Sequence, residues 1–384
     1  MEFKRYKLGE FIESVSDTTQ ILKDKVVLIN TSDVENGYVI NHTYTLNKNL
    51  KGQFKKRFKK GDILYSEIRP RNRRFAYIDF ESDDYIASTK LMVLRNKGNI
   101  DNEFLFQLLK SNEVIEYLQL LAESRSGTFP QITFNELANT VVSIPSMENQ
   151  QKISRILTII DNKIRYNTHT NDNLFEMCNT IYHNYLDKYS ELIENKKIVE
   201  IANRVVTGKT PSTKNEDFWN GNIPFITIPD MHNQVFTINT ERKISNIGAK
   251  ALIPKNSISV SCIATVGLVS ISTEESQTNQ QINSIVLNND YDLYYLFEFL
   301  SEQENFMKNI AGGSTTYNIN KNTFENIEVP YLPTDKLIEF HNIVSKMFEK
   351  IKLNQLENKN LEQLRDTLLP KLMNGEIDLD KIEI

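Results

Sequence analysis

The chain repeats itself across nearly half its length. Residues 163–180 read KIRYNTHTNDNLFEMCNT, and 350–367, 187 positions later, read KIKLNQLENKNLEQLRDT. Seven of the eighteen positions are identical: Lys163/Lys350, Ile164/Ile351, Asn167/Asn354, Asn171/Asn358, Asn173/Asn360, Leu174/Leu361 and Thr180/Thr367. A period that long does not suit a solenoid of short stacked units and fits two tandem domains. The repeat lies on heptads. Ile153, Leu157, Ile160, Ile164, Asn167, Asn171, Leu174, Cys178, Ile181 and Tyr185 follow in alternating steps of four and three, the pattern of a coiled-coil seam. Neither Pro nor Gly interrupts 147–187, and a helix of about 40 residues extends roughly 60 Å. The second seam runs Phe340, Val344, Met347, Ile351, Asn354, Asn358, Leu361, Arg365 and Leu368, with Pro370 and Gly375 expected to end the helix.

A strand-rich segment precedes each heptad run. In the first half VVLIN (26–30), DILYSEI (62–68), RFAYIDF (74–80), KLMVLR (90–95) and TVVSIP (140–145) read as strands, with one short helix over 101–122. In the second, PFITI (224–228), SISVSCIATVGLVSI (257–271) and NSIVL (283–287) read the same way, with one short helix over 292–309. GDILYS (61–66) parallels NSISVS (256–261), and GTFPQIT (127–133) parallels STTYNIN (314–320). The expected class is α+β: domain 1–145, helix 146–190, domain 191–332, then helix and tail 333–384. Buried Asn fixes register at a cost in stability. Antiparallel pairing of the two helices would bring Asn167 and Asn171 to Asn354 and Asn358.

Charge is unevenly placed. The net is −5, yet residues 51–74 hold ten bases against Asp62 and Glu67, a local +8 that leaves −13 elsewhere. A cationic patch on an acidic protein suits a polyanion held at one face, with a solvated surface as the bland reading. Arginine predominates after Ile68, and its planar fork matches phosphates and guanine edges. Cys178 and Cys262 form no CxxC cluster, so neither a disulfide framework nor a zinc site follows. The N-terminus lacks the apolar run of a signal peptide, and no stretch is long and apolar enough to span a membrane, so a cytoplasmic protein is expected.

Catalytic motifs are weak. Gly208-Lys209-Thr210 resembles the end of a P-loop, but Asn203 stands where its first glycine belongs. Pro229-Asp230 with Glu241 and Lys243 mimics a PD-(D/E)xK nuclease triad. The sequence has no Pro-Pro pair or FxGxG element for methyl transfer. His42, His169, His183, His232 and His341 show no metal-ligand spacing. A non-catalytic chain is expected. An endonuclease acting alone through Asp230, Glu241 and Lys243, and a coiled-coil scaffold with no DNA role, are the alternatives.

Gly208-x-Thr210-Pro211-Ser212, Trp219-x-Gly221-x-Ile223-Pro224-Phe225-Ile226 and Asp230 resemble the opening of a target recognition domain of type I restriction–modification specificity subunits. Gly61-Asp62-Ile63-Leu64, Ile68-Arg69-Pro70 and the ending from Leu364-Arg365 through Leu372 to Gly375-Glu376-Ile377 match as well. The first domain departs by lacking a Trp-x-Gly-x-Ile-Pro element. The resemblance implies that each domain reads one half of a bipartite, asymmetric site in double-stranded DNA. It implies that the helices set the gap and dock two methyltransferase subunits, with restriction subunits as further partners. No cofactor is expected in this chain; S-adenosylmethionine belongs to the methyltransferase, and ATP and Mg to a nuclease or translocase partner.

The expected DNA contacts lie on loops. In the first domain they are Arg69, Arg71, Arg73 and Arg74, with Lys55, Lys56 and Arg57 on phosphates and Thr128 in the Gly-Thr turn. In the second they are Lys209, Thr210, Lys214, Thr278, Asn279, Gln280 and Gln281, with Ser314, Thr315 and Tyr317 in the turn. The loop after Ser261 (Ala264, Thr265, Gly267) is expected to replace the arginine loop of the first domain. Trp219 is expected to pack in the core.

Overall fold

The heptad segments form single helices, Met147–Lys188 (42 residues) and Thr334–Met373 (40 residues). The computed structural model describes residues 3–124, 130–232, 234–312, 317–377 and 379. The chain divides into two units. One comprises 1–162 with 363–384, and the other comprises 163–362.

In the first unit the strand Leu91–Asn96 lies between Ile12–Val15 and Ile63–Ser66, and Phe75–Tyr77 completes a four-stranded antiparallel sheet. A second four-stranded sheet orders Tyr44–Leu46, Lys25–Ile29, Tyr85–Ser88 and Phe54–Lys56. Lys4–Lys7 pairs antiparallel with Val141–Ile144, and the latter leads the chain into the first long helix. The expected single helix over 101–122 is two, Asn102–Leu109 and Asn112–Ser124. The break falls at Lys110–Ser111, where Ser111 Oγ accepts from Val114 N and starts the second helix. Leu369, Leu372, Met373 and Leu379 join the core of this unit. That burial carries the second long helix through Pro370, contrary to expectation. Asn374 N still donates to Pro370 O at 2.9 Å, and the turn closes at Gly375, whose φ is +73°. Earlier on the same helix Arg365 Nη1 donates to Asp161 (3.3 Å), which also accepts from Lys110 Nζ (2.5 Å) and Gln107 Nε2 (2.8 Å).

The second unit repeats this plan. Ala202–Thr207, Ile282–Leu287, Ile258–Ser261, Val269–Ser272 and Phe236–Thr237 form a five-stranded sheet. Arg242–Ile244, Trp219–Ile226, Ser276–Thr278 and Leu252–Ile253 form a four-stranded one. Glu194–Lys197 pairs with Glu328–Tyr331 as Lys4–Lys7 does with Val141–Ile144. The expected helix over 292–309 is again two, Asp292–Ser301 and Glu304–Ile310. Within this unit the long helices pair antiparallel. Asn167 donates to Asn358 at 2.9 Å, Asn354 donates to Asn171 at 2.8 Å, and Cys178 meets Met347. Phe348 is buried, whereas Met177 and Ile343, which lie off the seam, are exposed. Among the described residues no helix is long and apolar enough to cross a membrane.

Candidate nucleic-acid interface

In the first unit the basic loop links the strands Ile63–Ser66 and Phe75–Tyr77. Its shape comes from two left-handed arginines, Arg69 (φ 44°) and Arg73 (φ 51°), flanking a single turn opened by buried Pro70. Ser66 Oγ accepts from Ile68 N at 3.0 Å, Arg69 N donates to Pro130 O at 3.1 Å, and Ile132 N donates to Glu67 O at 2.8 Å.

Three of the four arginines turn back onto the protein. Arg71 Nε bonds both carboxylate oxygens of Glu116 at 3.0 Å, and its Nη1 lies 3.6 Å from Glu123. The hydrogen bond from Arg71 holds the Glu116 carboxyl below the usual glutamate range. Arg73 donates to Asn112 Oδ1 and to Lys110 O. Arg74 pairs with Glu35 at 3.1 Å and reaches the carbonyls of Ser32 and Val34. Arg69 is exposed, and its guanidinium makes no hydrogen bond or ion pair with the described residues. Lys56 departs from the phosphate role expected of it. Its ammonium donates to Thr89 O (3.0 Å) and Leu91 O (2.8 Å), and burial lowers its pKa below the ordinary lysine value. Lys55 and Arg57 line a separate groove of about 390 Å³ with Thr18, Gln20, Asn47 and Asn49. Asp62, one of the two acids in the basic stretch, is buried and binds Arg95 through two 2.8 Å bonds.

The second unit builds the same corner from different residues. Ser261 Oγ accepts from Leu268 N at 2.9 Å. Ala264, also left-handed (φ 65°), donates its N–H to Tyr317 O at 3.1 Å, and Ile319 N donates to Cys262 O at 2.9 Å. The loop after Ser261 therefore occupies the place of the arginine loop. Thr265 on it is exposed, as is Tyr317 beside it.

Next to this corner the fold joins residues far apart in sequence. Lys209 N donates to Thr278 O at 2.9 Å, Thr210 Oγ1 donates to Gln280 Oε1, and Asn279 pairs with Gln281 at 3.1 Å. Lys209 and Lys214 are exposed. Gly208 permits the approach: a Cβ there would lie 2.1 Å from Asn279 O and 2.3 Å from Thr278 Oγ1. Thr278, an expected contact, is fully buried in its strand against Gly208 and presents nothing to a ligand. Gln277 was not legible as part of this site. Its buried amide donates to Lys209 O at 2.7 Å and accepts from Lys250 N and Ala251 N, tying two loops together. Nothing in the polar run around it marks it as the inward member. Thr128, Ser314 and Thr315 lie outside the described residues.

The remaining motifs have structural uses. Trp219 is buried, donates Nε1–H to Ser212 O at 3.1 Å, and carries the Arg242 guanidinium 3.5 Å over its ring. Asp230 Oδ2 caps Thr227 through its N–H and hydroxyl at 2.7 and 2.6 Å, while Oδ1 accepts from Glu241 N. Both carboxylate oxygens of the PD-(D/E)xK-like element thus serve a turn. Among the described residues no three His, Cys, Asp or Glu side chains are grouped to hold a metal.

The two domains thus share a loop corner with matching backbone bonds at Arg69 and Ala264 and different side chains around them. Residues 1–175 and 190–365 match the type I restriction modification DNA specificity domain, and the chain belongs to that family. It is similar along its length to the type I restriction enzyme HindI specificity subunit of Haemophilus influenzae, 38% identical over 98% of this chain and 100% of that one. The MjaIX specificity subunit of Methanocaldococcus jannaschii is 25% identical over 85% of this chain and 79% of its own. Among solved structures, the type I restriction–modification S subunit from M. genitalium shares the fold, with a TM-score of 0.60 at 15% identity over 97% and 96% of the two chains. The chain is a DNA-recognition subunit of the type I restriction–modification class.

Proposed function

We propose that each unit reads one half of a bipartite, asymmetric site in double-stranded DNA, that the paired helices set the gap, and that the chain itself is non-catalytic. The observation that carries this reading is the duplicated corner. Arg69 and Ala264 hold the same left-handed place with the same backbone bonds and entirely different side chains. Equal frames with unequal side chains suit two half-sites of different sequence. Lys55, Arg57 and Arg69 serve the first half-site; Lys209, Thr210, Lys214, Thr265, Asn279, Gln280, Gln281 and Tyr317 serve the second. Asn and Gln suit adenine edges, and the lysines suit phosphates.

The helices dock two methyltransferase subunits, which bring S-adenosylmethionine. Restriction subunits, where they join, bring ATP and Mg. Exposed apolar side chains along the helices, among them Ile159, Tyr166, Met177, Ile343 and Leu353, support a protein partner there. The complex works in the cytoplasm, where its DNA is. Sequencing the methylome of a host carrying the cognate methyltransferase, with and without this chain, tests the reading. A split asymmetric motif that appears only with the chain is expected. No new motif from an assembled complex overturns the reading.

A further inference from the structure

We infer that Arg69 is the side chain of the first unit's arginine loop that meets DNA, and that Arg71, Arg73 and Arg74 are there to hold it in place. The inference rests on the DNA-reading role proposed above and assigns one residue within it. Four arginines in six positions look interchangeable in sequence. In the fold they are not. Arg71 is engaged by Glu116 and Glu123, Arg73 by Asn112 and the Lys110 carbonyl, and Arg74 by Glu35 and two carbonyls. Each of these ties the loop to a neighbouring segment. Arg69 alone among them is exposed with a guanidinium that bonds to no described residue.

Its backbone is the opposite of free. Arg69 N donates to Pro130 O at 3.1 Å, its carbonyl accepts from Asn72 N at 2.8 Å, and the next residue, Pro70, is buried. Arg71 N adds a bond to Gln119 Oε1 at 3.2 Å. A left-handed conformation is unfavourable for a residue with a Cβ and persists where its surroundings impose it. The loop thus presents one unneutralised planar fork from a fixed stem. A cation so held loses little backbone freedom on binding, and its geometry matches a phosphate or the O6/N7 edge of guanine. The corresponding place in the second unit holds Ala264, which has a methyl group and no charge. The contact therefore belongs to one half-site only.

The test uses the full chain in its complex with the methyltransferase and a duplex carrying the motif that the wild-type complex methylates. Arg69→Gly keeps the positive φ and removes the fork; Arg69→Lys keeps the charge and loses the planarity. Arg69→Gly is expected to weaken binding about ten- to a hundredfold, with any change in the sequence read confined to the half-site of the first unit. A guanine contact shows as relaxation at one base pair, with Arg69→Lys also impaired. A phosphate contact shows as uniform weakening, a smaller salt dependence and rescue by Arg69→Lys. If both variants bind and methylate as the wild type does, the assignment is overturned. If the wild-type complex methylates no split motif, the underlying reading fails and the assignment with it.

Discussion

Asn167 donates its side-chain amide to Asn358 Oδ1 at 2.9 Å across the paired long helices. It also reaches Glu357 Oε2 at 2.8 Å, while Asn358 donates to Thr168 Oγ1 at 3.3 Å. Asn171 and Asn354 meet in the same way at 2.8 Å. A shift of one helix along the other would leave the buried amides of Asn167 and Asn354 unpaired, so the four asparagines specify one register.

Removing one member of the pair leaves its partner unsatisfied. Asn167→Ala is expected to cost about 1–3 kcal/mol in chemical denaturation. Leucine at both 167 and 358 should recover most of that loss. A silent single variant would show that the seam is solvated at that point.

Asp161 is largely buried between Lys110 and Arg365 within the first unit, its side chain 13% exposed. Burial raises its carboxyl pKa, but Lys110, Gln107 and Arg365 outweigh that and hold it below the usual aspartate value. Asp161→Asn leaves buried Lys110 and partly buried Arg365 facing an amide. The expected loss is about 3–5 kcal/mol, read from denaturation midpoints of the whole chain. A loss under about 1 kcal/mol would match an exposed pair instead.

Glu298 is fully buried facing the first long helix. Asn179 lies 3.5 Å from Oε2, and Oε1 has no partner among the described residues. Burial, reinforced by Glu302, pushes its carboxyl up to about 8, while Asn179 opposes the shift. Cys178, Tyr182 and the His183–Glu302 pair complete its surroundings. The folded chain keeps a proton that the unfolded chain has released, so this residue lowers stability as pH rises from the ordinary glutamate value to about 8. Glu298→Gln should match the wild type in thermal melts near the lower end of that window and exceed it at the upper end. Identical pH dependence in the two proteins would exclude the buried acid as its cause.

Gly208→Ala tests how the second unit assembles its surface. The added methyl would lie 2.1 Å from Asn279 O, and the backbone must move. Overpacking of this kind costs about 1–3 kcal/mol. It should also separate Thr210 from Gln280 and abolish reading of one half-site while the other persists. Loss of both half-sites together, with the fold intact, would mean that the two surfaces are not independent.

The long helices were legible because their heptads are long and uninterrupted, and the repeat was legible because identities fall on them. Pro370 was misread because a local rule for helix endings omits the burial of Leu372 and Met373 beyond it. The breaks at Lys110–Ser111 and after Ser301 were hidden by apolar residues that continue on both sides. At the candidate site the sequence marked the right loops. It did not separate Arg69 from Arg71 or Arg74, because Glu116 and Glu35 lie 45 and 39 positions away from Arg71 and Arg74. The burial of Lys56 and Thr278 is likewise set by strands distant in sequence.

The most direct test of the account is to lengthen both long helices by one heptad and sequence the methylome of the host. Seven residues add about 10 Å of helix, close to three base pairs of duplex. The account predicts both half-sites unchanged and a gap longer by about that amount. Unchanged half-sites at an unchanged gap would contradict it.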